Sequence, residues 1–232
     1  MPRQSGFAIT QGMSCKVIFV QIFTLILSWS LTSVGSENKM DILKQAVKTY
    51  REAKMIEMTV EKRMSSDWNP KEKLSIGKLF YSQGKIRFEF ETPEKEWDLY
   101  DGKSFWIVNF PGADFPGGKN KVLEDKNASK HKDQVFLVEL LESKNPSDSF
   151  EAKESKNTDD VLDLILKPKK ETPFKEIHVI INQKTKSFSE INYRDDMNTI
   201  RYVLGKPSVK EDFKKGFFSY KPDPKKDDVT PL

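Results

Sequence analysis

The 232-residue chain has one cysteine, Cys15, and two histidines, His131 and His178. A lone thiol excludes an intrachain disulfide. Cys15 also precedes the apolar run Val17 to Leu31, whereas lipid attachment would need a cysteine just after such a run. Thiol chemistry, disulfide stapling and a lipid anchor are therefore not expected of the protein beyond that run. His131 stands among lysines in a polar segment, and His178 reads as an outward position on a strand. Neither can be built into a catalytic triad or a metal cluster. No glycine loop is spaced to cradle a phosphate. The acidic pairs Asp159-Asp160 and Asp195-Asp196 fall at turns, where Asp is favoured for backbone reasons. Nothing here points to an enzyme or to a cofactor.

Acidic residues are absent before Glu37, and long hydrophobic runs are absent throughout. Val17 to Leu31 falls short of the roughly 20 residues that span a bilayer. It is interrupted by Gln21, Ser28 and Ser30, preceded by Arg3 and Lys16, and followed by the small residues Ser33-Val34-Gly35. This is the pattern of a secretory signal peptide over residues 1–35, with cleavage near Gly35 or Ser36 and Met13 as an alternative start. An exported, cysteine-free protein fits a bacterial periplasm, as a soluble protein, better than a disulfide-built extracellular module. A strong excess of one charge is also missing. Arg3 and Lys16 leave with the leader, and the rest of the 39 basic residues are interleaved with 35 acidic ones. Nucleic acid is excluded as a partner on that ground. Residues 36–232 are long enough for one core and show no linker or repeat, so they read as a single domain, expected to be monomeric.

What is present is alternation. Gly77 to Phe110 reads as two successive β-hairpins. With Gln83-Gly84 as a two-residue turn, Tyr81 pairs with Ile86, Leu79 with Phe88 and Gly77 with Phe90, while Lys78 faces Glu89 and Phe80 faces Arg87. With Asp101-Gly102 as a second such turn, Leu99 faces Ser104 and Trp97 faces Trp106, with Val108 and Phe110 on the same side. Together the hairpins suggest one face of aromatic and aliphatic side chains and one mostly charged face.

Elsewhere, Met40 to Ala53 carries Ile42, Leu43, Ala46, Val47 and Tyr50 at helical spacing, and Ile56, Met58 and Val60 begin a strand. Residues 111–120, with two prolines and three glycines, form a loop with Phe115 at its tip. Asp133 to Glu142 is a helix with Phe136, Leu137, Leu140 and Leu141 on one stripe. Alternation returns at Leu162, Leu164 and Leu166, at Ile177, Val179 and Ile181, and in the segments 187–194 and 199–204. A last strand is expected near Gly216 to Tyr220, followed by a frayed polar tail. The class is mainly β with helices (α+β), an antiparallel sheet of about nine to eleven strands with helices on one face. A half-closed barrel of this kind has more apolar wall than its own side chains fill, and the surplus suits an apolar ligand.

In order and spacing, several of these pieces resemble the periplasmic outer-membrane lipoprotein carrier family (LolA-like). They are the exported N-terminus, the helix Asp41 to Ala53, Gly77-x-Leu79, Lys85-Ile86-Arg87-Phe88-Glu89-Phe90, Pro93 and Asp101-Gly102-Lys103 with Trp106. The Asp133 to Leu141 helix, Leu164 to Pro168, and Phe217-x-x-Tyr220-x-Pro222 complete the set. The resemblance implies an incomplete antiparallel barrel capped by a small helical lid over an apolar cavity. It implies a non-enzymatic chaperone, without cofactor, that takes acylated lipoproteins from an inner-membrane ABC-type release complex to an outer-membrane receptor. It places Leu79, Tyr81, Ile86, Phe88, Phe90, Trp97, Leu99, Trp106 and Val108 on the ligand-binding wall, and Phe136, Leu137, Leu140 and Leu141 on the lid. The alternative in another class is a periplasmic sensor of lipid or lipoprotein using the same cavity. Members often carry an Arg-Pro pair in the first hairpin's loop, the Arg holding the lid. Here Ser82-Gln83-Gly84 stands in its place, leaving Gln83 to hydrogen-bond lid carbonyls.

Overall fold

A computed structural model describes residues 38–115, 117–128, 132–170, 172, 174 and 176–231. The leader read from residues 1–35, and His131, lie outside them. The chain opens with α1 (Lys39–Glu52), capped by Asn38, whose side chain accepts from the Met40 N–H at 3.2 Å. Its buried stripe is Ile42, Leu43, Ala46, Val47 and Tyr50. There follow β1 (Ile56–Ser66), β2 (Asn69–Ser82), β3 (Lys85–Thr92), β4 (Glu96–Tyr100), β5 (Phe105–Asn109) and β6 (Asn120–Asp125). After α2 (Lys132–Glu142) and the short α3 (Pro146–Ser149) come β7 (Phe150–Asn157), β8 (Val161–Pro168), β9 (Glu176–Asn182), β10 (Ser187–Arg194) and β11 (Asn198–Leu204). The chain ends with β12 (Ser208–Val209) and β13 (Asp227–Pro231).

These strands form one 13-stranded sheet in the order β13-β6-β5-β4-β3-β2-β1-β11-β10-β9-β8-β7, with β12 beside β1. The β7 and β13 edges are not joined, so the barrel is incomplete. The sheet exceeds the predicted count because β6, β7, β12 and β13 are additional strands, and β2 is longer than expected. The Asp67-Trp68 turn opens directly into β2, so the polar run before Gly77 is extended. The segments 120–125 and 150–157 carry mixed side chains, yet pair as β6 and β7. The polar tail, expected to fray, instead adds β13 to β6 in the one parallel pairing described, Asp227 opposite Asn120 and Val229 opposite Val122. Gly216 to Tyr220, expected to be a strand, forms turns.

The first hairpin has the predicted register throughout, Tyr81 opposite Ile86 and Gly77 opposite Phe90, with Gln83 and Gly84 at φ 44° and 77°. The second does not. Trp97 pairs with Val108 and Leu99 with Trp106. The loop is four residues, 101–104, because the Asp101 Oδ1 accepts from the Lys103 and Ser104 N–H groups at 2.9 and 2.8 Å and folds them into the turn. A slip of two keeps each side chain on its face.

The larger correction concerns how the hairpins join. Across β3 and β4, Phe88 stands opposite Asp98 and Phe90 opposite Glu96, while Arg87 faces Leu99 and Glu89 faces Trp97. Cross-strand partners share a face. The apolar sets of the two hairpins therefore lie on opposite faces of the sheet. Leu79, Tyr81, Ile86, Phe88 and Phe90 join the core with α1, α2 and β7–β11. Leu99, Trp106 and Val108 form a second cluster with Val122, with Trp97, Phe110 and Tyr220 against it.

Candidate functional site: the helix-covered concave wall

The inner wall is continuous from β3 to β8. On the first hairpin Leu79, Tyr81, Ile86, Phe88 and Phe90 are at most 1% exposed. Phe88 stacks on Phe90 at 5.6 Å and on Tyr202 at 5.4 Å, carrying the aromatic surface across β1 to β11. Leu162, Leu164, Leu166, Ile177, Val179, Ile181, Ile191 and Tyr193 extend it through β8, β9 and β10. Their alternation was visible in the sequence, but no ligand role was assigned to it; the antiparallel order places them on the same wall.

α2 covers this wall. Phe136, Leu137, Leu140 and Leu141 are all buried in the same cluster. The Phe136 ring lies 5.0 Å from Phe174, 6.0 Å from Phe150 and 6.1 Å from Tyr193, so the lid seals mainly against the second half of the sheet. With wall and lid residues near zero exposure, helix side chains occupy the concavity. The candidate site is a closed apolar interior, filled by the side chains of α2.

One polar pair interrupts the wall. Lys62, on the inner side of β1, reaches Asp98 at 3.7 Å and lies 5.7 Å from the Phe90 ring centroid. Asp98 is 2% exposed.

The lid is fastened at its C-terminal end, though not by Gln83, whose side chain is exposed and makes no hydrogen bond among the described residues. The buried Tyr81 hydroxyl donates a short hydrogen bond to the Glu142 carboxylate. Burial first, then that carboxylate, pushes the Tyr81 phenol far above its ordinary range, so it stays a donor. Arg51, at the end of α1, donates from Nη1 to the Ser143 carbonyl at 3.1 Å. The last turn of α2 has no basic residue of its own, and its unpaired carbonyls favour a cation there. Arg51 of α1 thus supplies a cationic contact at this end of the lid. Only Tyr81's wall position was anticipated; that its hydroxyl meets Glu142 depends on tertiary placement.

Trp97, Leu99, Trp106 and Val108, expected on the ligand wall, face away from α2. The reason is the C-terminal strap, residues 205–226, which makes the outer face of β2–β5 a buried surface too. Phe80 meets Phe213 and Phe217 edge-on at 5.7 and 5.1 Å. Arg87 is sandwiched between the Trp97 ring at 4.2 Å and the Phe217 ring at 4.4 Å, and donates to the Phe217 carbonyl at 2.7 Å. Burial lowers the Arg87 pKa, opposed by Glu89 at 2.5 Å. Among the described residues no group of three His, Cys, Asp or Glu is placed to hold a metal ion.

The family model of the outer membrane lipoprotein carrier protein LolA matches residues 51–221. Similar solved structures include a LolA superfamily protein from Nitrosomonas europaea, at 12% identity and TM-score 0.40, covering 76% of this chain and 96% of that one. A putative outer membrane lipoprotein-sorting protein domain from Vibrio parahaemolyticus has 13% identity and TM-score 0.41, covering 78% and 97%. The lipoprotein LppX from Mycobacterium tuberculosis has 9% identity and TM-score 0.44, covering 75% and 97%. No curated protein matches the sequence.

Proposed function

The chain belongs to the LolA family of outer membrane lipoprotein carriers, and from that premise we propose that it shields the acyl chains of lipoproteins between α2 and the inner wall during transit. The observation that carries this reading is the closed apolar interior under a helix held at one end by two polar contacts. Each acyl methylene exposed to water costs about 0.8 kcal/mol. Covering a dozen of them is worth roughly 10 kcal/mol. When an acyl chain displaces α2, one apolar partner of the wall replaces another, so the wall loses little. The polar latch, at about 0.5–3 kcal/mol per hydrogen bond, is then a modest term that sets how readily the lid moves.

Such carriage needs no catalytic group and no cofactor. The rest of the reading follows the family: export by the leader in residues 1–35, a periplasmic location, loading by an inner-membrane ABC-type release complex and delivery to an outer-membrane receptor. Release requires only that the acceptor bind better, a tenfold bias for each ~1.4 kcal/mol. Incubating the purified protein with spheroplasts tests this directly. Lipoproteins are expected in soluble one-to-one complexes; their complete retention in the membrane fraction would overturn the carrier reading.

A further inference from the structure

Between Phe213 and Ser219 the strap turns on Gly216, whose φ is 80°. Beside the β2–β3 hairpin end this turn encloses an open-sided cleft of about 410 Å³, within the usual size of small-ligand sites. Three lysines line it, Lys85 from β3 and Lys214 and Lys215 from the strap. None of the three forms an ion pair among the described residues, whereas nearby Lys78 and Lys210 are both taken by Glu57. The one carboxylate in the lining, Asp101, has its Oδ1 engaged by two backbone N–H groups.

The lysine-bearing turn is also held rigidly. Phe213 and Phe217 stack at 4.7 Å and 8° on the Phe80 platform, and Arg87 fixes the Phe217 carbonyl. Like charges gathered on a fixed backbone around one concavity repel, and the single lining carboxylate, Asp101, offsets only one of the three. An anion with several acceptor oxygens answers all three ammonium groups at once, and phosphate has that form.

We propose that this outer-face cleft binds a phosphate ester, as a phospholipid headgroup or as a soluble phosphate compound. The site stands on the opposite face from the acyl interior and does not depend on lipoprotein carriage.

Flotation with vesicles of phosphatidylcholine alone, or with phosphatidylglycerol added, separates the two sources when paired with calorimetric titration of glycerol 3-phosphate. The wild-type protein is expected to bind at least one phosphate probe. Lys214→Gln/Lys215→Gln should weaken that binding about tenfold or more, with a smaller loss for Lys85→Gln. Lys44→Gln/Lys48→Gln, on the exposed side of α1, should leave it unchanged. Binding to phosphatidylglycerol vesicles identifies a headgroup site. Glycerol 3-phosphate binding without vesicle binding identifies a soluble ligand. Binding of neither probe overturns the proposal, as does an equal loss in the α1 control variant, which would make the effect one of overall charge.

Discussion

Gly77 shows how one residue sets the geometry of the wall. It sits beside a register shift in the β2–β3 pairing, and a Cβ there would lie 1.9 Å from the Glu89 carbonyl oxygen. A backbone atom cannot rotate aside as a side chain can. Gly77→Ala should therefore destabilise the protein by about 3 kcal/mol or more, seen as a lowered denaturant midpoint. The latch makes a gentler prediction. Tyr81→Phe combined with Arg51→Ala removes two hydrogen bonds while keeping the apolar wall. Amide exchange in α2 should quicken by about one to two orders of magnitude, as expected for 1–3 kcal/mol, while that of β8–β10 stays unchanged. Equal acceleration everywhere would mean global destabilisation instead.

Asp227 carries a pH prediction. Burial acts to raise its pKa, but the Asp223 N–H at 2.7 Å, the Asn120 amide at 2.7 Å and the Tyr220 hydroxyl at 3.0 Å outweigh that and hold it below the ordinary carboxylate range. A carboxyl with a depressed folded-state pKa contributes stability that is full above its unfolded pKa, about 3.9, and is lost as pH falls through the folded value. The β13–β6 junction should consequently loosen below about pH 4, and Asp227→Asn should reproduce that loosening at neutral pH. Exchange of the β13 amides with pH checks both.

At the scale of elements, hairpins and helices were legible where local chemistry decides them. The Gln83-Gly84 turn fixes its register alone, and the leucine-rich stripe of α2 needs no partner to be recognised. The Asp101 loop was misread by two residues because its side-chain hydrogen bonds compete with a two-residue turn. The join between hairpins was misread for a deeper reason. An apolar face ordinarily marks the core side of a strand, but here both faces of β2–β5 are covered, one by helices and one by the strap. Periodicity reports that a face is buried, not against what. This division predicts separable effects. Trp97→Ala removes the ring against Arg87 and should cost about 1–3 kcal/mol of stability with acyl-peptide affinity unchanged. Leu137→Glu should abolish acyl binding, since a charge on the lid stripe cannot rest on an apolar wall. The reverse pattern would place the ligand on the outer face.

For the whole molecule, the sequence indicated a half-barrel with helices on one side, and the structure has that form with additional strands. The strands missed, β6, β7, β12 and β13, are short or polar pieces, and the pairing of β12 and β13 depends on neighbours far away in the chain. The lid fastening depends likewise on distance, bringing Arg51 from α1 to the end of α2. The sequence reading took the apolar sets of both hairpins as one ligand wall; with the two on opposite faces of the sheet, which of them meets a ligand becomes the question.

A lipopeptide bearing a photoreactive group within its acyl chain decides that point. After irradiation and digestion, cross-links are predicted on inner-wall positions of residues 79–90 and on 136–141. Cross-links confined to Trp97, Leu99, Trp106 and Val108, or competing with none of the α2 contacts, would contradict an acyl site beneath the lid.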